Sequence, residues 1–449
     1  MPRRVVVTGI GMVTPRGMHP GPLWERLCQG SPGGAAIRRF DATPFTVSEA
    51  GEIHEDLPLP LPPRLTKRMD RYCVLAMAAG QLALDDSALD VATEDPDGVG
   101  ISIGNMYGGW GITDPSLRGL LQEGYASVSP YVASAWFPTA PQGQMSIFWG
   151  LRGYAKTIAA DTASGAAAIG YAARAIQDGH ADVMLAGGAE APVTPYAYAF
   201  CQVSGRMGDA YRPFDRRADG FRVGEGAAIL VLEEEERAAA RGARTYGEVA
   251  GWSTGHVGGP EPWPDGDRRL GEVVEEALEE AGIAASSLDY VGLDAQGDRR
   301  ADRAEAAALA GAGGNGLRAV CTTCKPGLTN LLGAAASAEA AVALLAMQRG
   351  EIPPIAGCDE PDSGVELDLV TGSCRTAPLR NALVVARGAD GVRGALVLKG
   401  SPGAGNNRTR GVGGRRRVRT GARRRKGASD EGSRTPGERG AVPGRGCRR

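Results

Sequence analysis

Histidine and cysteine, the residue types most often used for proton transfer and nucleophilic attack, are unevenly distributed along this chain of 449 residues. Its four histidines are His19, His54, His180 and His256, so no imidazole follows position 256. The imidazole is the side chain that changes charge most readily near neutral pH. Acid–base chemistry in the C-terminal part of the chain would therefore have to rely on other groups.

The eight cysteines are scattered, without the dense and regular spacing of a disulfide scaffold. Cys321 and Cys324 form a C-x-x-C pair, but a zinc or redox site would need further ligands. The thiols that follow nearest are Cys358 and Cys374, and no histidine lies close in sequence. We therefore expect buried or inert thiols and no metal site.

Two further classes of function lack their sequence signals. No G-x-G-x-x-G follows a strand with an acidic residue about 20 positions later, and no G-x-x-x-x-G-K-[ST] occurs. No run approaches the roughly 20 apolar residues that cross a bilayer, and a strand-like VVVTG directly follows Arg3 and Arg4. We expect a cytoplasmic protein that binds neither nucleotides nor membranes.

Residues 401–449 differ from the rest of the chain in charge and composition. They carry 15 Arg and Lys against 3 Asp and Glu, whereas residues 1–400 carry 35 against 49. They contain scarcely any apolar residue, so folding could not repay its entropy cost. We predict an Arg/Gly-rich disordered tail. Electrostatic binding of RNA or DNA is the alternative interpretation of this tail, and we consider it the weaker one.

The secondary-structure elements that must position any site follow a pattern in the sequence. Short β-branched runs alternate with Ala-rich stretches, which is typical of an α/β layered protein. Several runs are apolar throughout, which suits a sheet covered on both faces. The predicted strands are RVVVTGIGMV, VGISIG, DVMLAGGA, AAILVLEE, DYVGLDA, LRAVCTTC and GALVLKG. The predicted helices span residues 72–84, 164–177, 270–281, 302–311 and 331–348. A second series begins with TYGEVAGWS, so we place a boundary near Arg244.

Three stretches carry a resemblance to a known family: RRVVVTGIGMVTP (3–15), ADVMLAGGAE (181–190) and YRPFDRRADGFRVGEGAAILVLEEEE (211–236). They resemble the β-ketoacyl synthases, and the resemblance extends over roughly residues 3–400. It implies the thiolase fold, in which two similar α/β halves form five layers, α-β-α-β-α. The expected organisation is an N-terminal half over 1–244, a C-terminal half over 245–400 and the tail over 401–449.

Ketosynthases of this family attack with a cysteine thiolate at a strand-to-helix turn, where backbone N–H groups favour negative charge. The matching turn here is TIAADTASGAAAIG, over residues 157–170. An ungapped alignment places Thr162 at the cysteine position. An alternative alignment on DTASG places Ser164 there and needs a small deletion. Either residue offers a hydroxyl, and the resemblance supplies no neighbouring base to activate it.

The family's two catalytic histidines are also replaced. In YVGLDAQGDRRADRAEA (290–306), the spacing to the retained Glu305 places Asp294 at the first histidine position. In KPGLTNLLGAA (325–335), the retained Lys325 places Asn330 at the second. An ionised aspartate cannot donate a proton, and asparagine does not titrate.

The surroundings of these positions keep part of the family's pattern. Lys325 and Glu305 are charged groups beside the former active site, and we interpret them as a residual structural pair. The family's gating loop becomes RGADGVR over residues 387–393, with Ala389 in place of a phenylalanine. No catalytic residue is therefore predicted in this chain.

The chain keeps the family's scaffold but lacks the thiol and the imidazoles of its active site. In this it resembles the chain length factor, the β-subunit of type II polyketide ketosynthases. The segment AWFPTAPQGQMSIFWGLRG (135–153) is similar to that family as well. One departure is that chain length factors often carry glutamine where this chain has Thr162. The resemblance implies a heterodimer with a catalytic ketosynthase subunit, an acyl carrier protein that presents phosphopantetheine, a growing polyketide chain, and no cofactor of the chain's own.

The residues that limit tunnel depth in this family follow a Gly-Gly pair. Here Trp110, Thr113 and Leu117 follow that pair at the matching spacings, which predicts that they share one helix face. We expect them to form the floor of a polyketide tunnel. Ordinary core packing is the alternative for these three residues, and a condensing enzyme with a hydroxyl nucleophile is the alternative for the whole chain.

Overall fold

The computed structural model describes residues 3–59, 61–258, 263, 266–312 and 317–401. Except for Ser401, the predicted tail lies outside the described residues. The sequence alternation produces fifteen strands and thirteen α-helices in this part of the chain. The strands are β1 (Val5–Val13), β2 (Ala35–Ala36), β3 (Glu49–Ala50), β4 (Val99–Gly104), β5 (Ala155–Ile158), β6 (Val183–Glu190), β7 (Gly226–Glu234), β8 (Gly247–His256), β9 (Tyr290–Gly292), β10 (Val320–Thr322), β11 (Glu351–Ile352), β12 (Asp368–Leu369), β13 (Arg375–Thr376), β14 (Asn381–Arg387) and β15 (Val392–Gly400).

Helices separate most of the long strands. They are α1 (Pro20–Cys28), α2 (Pro63–Thr66), α3 (Arg71–Ser87), α4 (Thr113–Glu123), α5 (Val132–Ala135), α6 (Ala140–Trp149), α7 (Ser164–Gln177), α8 (Pro195–Val203), α9 (Glu235–Ala240), α10 (Arg268–Ala281), α11 (Arg299–Gly311), α12 (Lys325–Leu328) and α13 (Ala335–Arg349). Short 3-10 turns precede or follow several of them, including one at Leu332–Ala334 directly before α13.

The main sheet contains the same strand arrangement twice. Its first set runs β1-β7-β6-β4-β5, and its second set runs β8-β15-β14-β9-β10, with β12 beyond β10. In both sets the first two neighbouring pairs are antiparallel and the next two are parallel. The sets join where β1 pairs with β8. The chain passes from one set to the other between α9 and β8.

The helices repeat with the strands. Helix α3 packs on β1 and β7, and α10 packs on β8 and β15 in the same way. Between the two sets, α7 packs on β4 and β6 while α13 packs on β14 and β9, and the two helices touch each other. Residues Ala335 to Met347 of α13 are all buried, because a helix in the middle layer has neighbours on every side. The predicted thiolase fold of two similar halves is confirmed.

Several predicted elements need correction. The helix predicted over 331–348 begins only at Ala335, because Leu332 has a φ of 49° that an α-helix cannot contain. Strands β5 and β14 were not among the predicted strands.

Cys28 and Cys374, expected as inert thiols, form a disulfide that spans 346 positions. Among the described residues, no helix is both long and apolar enough to cross a membrane.

Candidate functional site

Thr162 and Ser164 lie at the turn between β5 and α7, as the sequence predicts, and both are fully buried. The Thr162 hydroxyl donates to the backbone oxygen of Arg387 at 2.9 Å. The Ser164 hydroxyl donates to the backbone oxygen of Asp161 at 2.6 Å and accepts the N–H of Ala160 at 2.8 Å. Both hydroxyls therefore act as structural donors, and within the described part of the chain neither hydrogen-bonds to a basic side chain.

Close backbone packing fixes this turn against the sheet. A Cβ atom at Gly104, the last residue of β4, would lie 2.4 Å from the backbone carbonyl of Ser164. Only glycine lets the strand approach the start of α7 so closely. The turn itself contains Asp161 with a φ of 46°, a backbone conformation that non-glycine residues rarely adopt.

The side chain of Asp161 links this turn to the loop between β14 and β15. Its Oδ2 accepts the N–H of Ala389 at 2.7 Å, and Arg206 Nη1 lies 3.7 Å from the same oxygen. Burial raises the pKa of Asp161. Ala389 thus occupies the predicted gate position and is held by its backbone, with only a methyl group as its side chain.

Asp294 and Lys325 form an ion pair in the interior. Lys325 Nζ lies 2.8 Å from Asp294 Oδ1 and also donates to the Asp294 backbone oxygen. Burial opposes ionisation of Asp294, but Lys325 and Arg387 outweigh it and lower the pKa of the carboxyl group. The group at the first histidine position is therefore a fixed anion with a fixed countercharge, and it cannot act as a proton donor.

Glu305 has different partners from those that we expected. It accepts the N–H groups of Asp294 at 2.7 Å and Ala295 at 2.9 Å, and Arg387 Nη2 donates to it at 3.0 Å. Burial raises the pKa of Glu305. The predicted direct pair of Lys325 with Glu305 is wrong: Asp294 lies between them and contacts both, because its carboxylate attracts the lysine while its backbone faces the glutamate.

Arg387 and Arg393 complete a buried charged cluster that sequence analysis missed. Arg387 Nε lies 3.4 Å from Asp294 Oδ2, and Arg393 Nε donates to both carboxylate oxygens of Asp267 at 2.8 and 3.0 Å. Both guanidinium groups lie over the ring of Trp263, at 5.0 and 5.4 Å from its centre. The available signal was an arginine at each end of a loop between two apolar strands, NALVVAR and VRGALVLKG.

Asn330 is buried, and its polar atoms serve the local turn. Its Oδ1 accepts the N–H of Leu332 at 2.9 Å, while its backbone bonds Arg222 and Gly224. Among the described residues its Nδ2 has no hydrogen-bond partner. An amide at the second histidine position can donate a hydrogen bond but cannot take up a proton near neutral pH.

A cavity of about 650 Å³ opens beside these positions. Asp161, Arg206, Gln296 and Ala389 contribute to its wall. Among the described residues that line it there is no thiol and no imidazole. The cavity can accommodate a polar group, but its wall offers no nucleophile activated by a base.

Of the three predicted tunnel residues, Thr113 and Leu117 lie on helix α4 and Trp110 does not. Helix α4 begins at Thr113, so the prediction of a shared helix face is wrong for Trp110, which lies in the preceding segment. Trp110 lines a second cavity of about 450 Å³, together with Asp114 and Arg118 of α4. The three side chains are partly buried and none belongs to the fully buried core.

Large exposed apolar side chains gather around α4 and α8. Helix α4 packs against α8, α5 and the short turn Tyr125–Ser127. The exposed members, here called the α4–α8 surface, are Leu120, Leu121, Tyr125, Tyr131, Trp136, Phe137, Tyr196, Phe200 and Val203. Contiguous apolar patches of this kind mark interaction sites on soluble proteins.

The fold is that of a condensing enzyme, and on the predicted alignment its nucleophile and acid–base positions hold a hydroxyl, a carboxylate and an amide. Two family models match the chain: "Beta-ketoacyl synthase, N-terminal domain" over residues 2–238 and "Beta-ketoacyl synthase, C-terminal domain" over residues 246–359. The chain belongs to the β-ketoacyl synthase family.

Similar proteins include β-subunits of polyketide synthases. A polyketide beta-ketoacyl synthase 2 of Streptomyces halstedii is 40% identical over 89% of this chain and 97% of its own length. The tetracenomycin polyketide synthase ketoacyl synthase beta subunit of Streptomyces glaucescens is 36% identical over 89% of this chain and 98% of its own. The solved ishigamide ketosynthase/chain length factor is similar with a TM-score of 0.83 and 28% identity, over 90% of this chain and 100% of that one.

Proposed function

We propose that this chain is the chain length factor, or β-subunit, of a type II polyketide ketosynthase. It pairs with a catalytic ketosynthase subunit and forms part of the tunnel into which the polyketide grows. Alone, it does not condense acyl groups. The names of the similar proteins and the emptied catalytic positions support this proposal together.

One observation carries the proposal: each position that should do chemistry has a structural partner instead. The Thr162 hydroxyl donates to a backbone carbonyl, and the Asp294 carboxylate is neutralised by Lys325 at 2.8 Å. A nucleophile needs a base that takes its proton, and a carbanion's oxygen needs a donor. Replacing Thr162 by cysteine alone would leave both needs unmet.

The α4–α8 surface supports a protein partner. Leu121 and Val203 are 79% and 86% exposed, which is costly for large apolar residues of a protein that works alone. Obligate subunit interfaces are typically apolar at their centre. We place the catalytic subunit on this surface.

Trp110 lies where this surface meets the second cavity, which supports its role as part of the tunnel floor. A packed aromatic ring blocks a chain because overlap with it costs kilocalories per mole. Thr113 donates to the Gly109 backbone oxygen at 2.6 Å, so it also fixes the segment that carries Trp110. Leu117 follows one turn later in α4.

The remaining partner is an acyl carrier protein whose phosphopantetheine arm holds the growing chain. The folded part of this chain is acidic, as carrier proteins typically are, so we expect the carrier to dock mainly on the catalytic subunit. This protein needs no cofactor of its own in that arrangement, and we place it in the cytoplasm. A condensing enzyme that uses Thr162 or Ser164 is less well supported, since neither hydroxyl contacts a base.

Reconstitution tests the proposal directly. The chain is co-expressed with candidate ketosynthase subunits, and co-purification and product masses are measured with a carrier protein and malonyl groups. We expect products only from the pair, and longer products when the chain carries Trp110→Ala. Condensation by the chain alone would contradict the proposal. An unchanged product length for Trp110→Ala would contradict the floor assignment only.

A further inference from the structure

The segment that carries Trp110 is held at both ends by buried carboxyl groups. Glu190, the last residue of β6, accepts the N–H groups of Met106 and of Tyr107, the latter at 3.2 Å. At the other end, Asp70 Oδ2 accepts the N–H of Ile112 at 2.8 Å. The backbone of this segment is therefore fixed from the first half of the fold, before any partner subunit binds.

The Trp110 ring itself has two contacts that fix its orientation. Its Nε1 donates to the backbone oxygen of Tyr107 at 3.1 Å. Its face stacks on the ring of Tyr196, with 4.7 Å between ring centres and an angle of 19° between planes. The hydrogen bond alone leaves the ring free to tilt about the bonded nitrogen, so the stack decides which way the ring lies.

Helix α8 clamps this segment through two of its side chains. Tyr196 and Phe200 are four residues apart and share one face of the helix. Phe200 packs edge-on against Tyr107, with 5.7 Å between ring centres, while Tyr196 stacks on Trp110. The helix is anchored independently of these rings, because the Tyr196 backbone N–H donates to Asp114 Oδ2 at 2.7 Å.

We propose that Tyr196 is a positioning residue for Trp110 and thereby a determinant of polyketide chain length. Tyr196 lies on α8, which is distant in sequence from the predicted tunnel residues. This inference rests on the proposed function. Tyr196 is 48% exposed, so its ring is not needed to fill the core, and the position can change while the fold is kept. A stack of this kind shifts the population of the held ring by about 2- to 10-fold.

The test compares product lengths of the reconstituted pair for Tyr196→Ala, Trp110→Ala and the double variant. We expect Tyr196→Ala to shift products towards greater length, less than Trp110→Ala does. The double variant should equal Trp110→Ala, because a missing ring needs no positioning. Tyr196→Phe keeps the stacked ring and should restore the parent profile. Tyr154→Ala removes a tyrosine ring that stacks on His180, outside the α4–α8 surface, and should leave product length unchanged.

Failure of the inference and failure of the proposed function give different results. If Trp110→Ala lengthens products and Tyr196→Ala does not, the positioning role is overturned and the tunnel proposal stands. If the pair makes no product that depends on this chain, the proposed function falls. If Tyr196→Ala prevents pairing, the inference is tested in the chain alone by measuring how acrylamide quenches its tryptophan fluorescence. The variant Trp110→Phe shows which part of that fluorescence comes from Trp110. Unchanged quenching of Trp110 would then overturn the inference.

Discussion

Asp294, Lys325 and Arg387 lie buried at the centre of the molecule, and each has an opposite charge within 3.4 Å. The α4–α8 surface is the reverse case, because it leaves large apolar side chains in solvent. In the first region each of these three charged groups has a partner of opposite charge within the chain. In the second region, no group within the described part of the chain covers the apolar side chains. On the proposed function, the former catalytic positions have become internal structure, and the α4–α8 surface is where a second subunit would bind.

The largest expected effect comes from breaking the central ion pair. Asp294→Asn removes the countercharge of Lys325, which then remains buried, and should lower the free energy of unfolding by about 3–5 kcal/mol. Adding Lys325→Met should recover much of this loss, because the double variant buries no unbalanced charge there. Denaturant unfolding of the two single variants and the double variant measures both effects. An Asp294→Asn protein as stable as the parent would show that the centre is not held by this pair.

A second prediction concerns Glu190, the buried carboxyl group that holds the segment carrying Trp110. Burial raises the pKa of Glu190 from 4.5 to about 8. The folded state therefore keeps a proton that the unfolded state releases above its own pKa. The stabilisation is complete below pH 4.5 and declines as pH rises to about 8, by up to about 1.4 kcal/mol per unit.

Unfolding of Glu190→Gln measures this contribution. The glutamine variant lacks the titrating group, so the free energy of unfolding of the parent should fall relative to that of the variant from pH 5 to pH 8. Other groups titrate equally in both proteins and cancel in the comparison. A difference that stays constant across this range would mean that Glu190 is ionised in the folded state. Water would then reach the region around Trp110 more readily than the burial of Glu190 indicates.

The smallest effect on the chain itself should come from its exposed surface. Leu121→Asp places a charge where we expect the partner's apolar face, so affinity for the catalytic subunit should fall by at least about 10-fold. The free energy of unfolding should change by less than about 0.5 kcal/mol, because Leu121 is 79% exposed. Ala239→Asp adds the same charge to exposed helix α9 and is the matched control. Equal binding by both variants would move the interface elsewhere.

The sequence predicted local elements best where a regular pattern coincides with complete burial. Helix α7 and strand β4 have the predicted bounds, because small apolar residues and a short apolar run leave few alternatives. The helix predicted from residue 331 failed because Leu332 adopts a positive φ, which tertiary contacts impose on a residue with good helix propensity. The prediction that the tunnel residues share one helix face failed for a related reason, since carboxyl groups distant in sequence hold the segment before α4.

The sequence by itself determined which chemical groups stand at the positions that we predict for catalysis: a hydroxyl at 162 or 164, a carboxylate at 294 and an amide at 330, with no imidazole beyond 256. Residue identity sets whether a group can attack or titrate, so this conclusion needed no coordinates. Only the tertiary structure decided that Lys325 pairs with Asp294, that Arg387 pairs with Glu305, and that Tyr196 stacks on Trp110. These contacts join residues far apart in the chain, and the energy of a buried charge or a stacked ring depends on distances that spacing along the sequence does not encode.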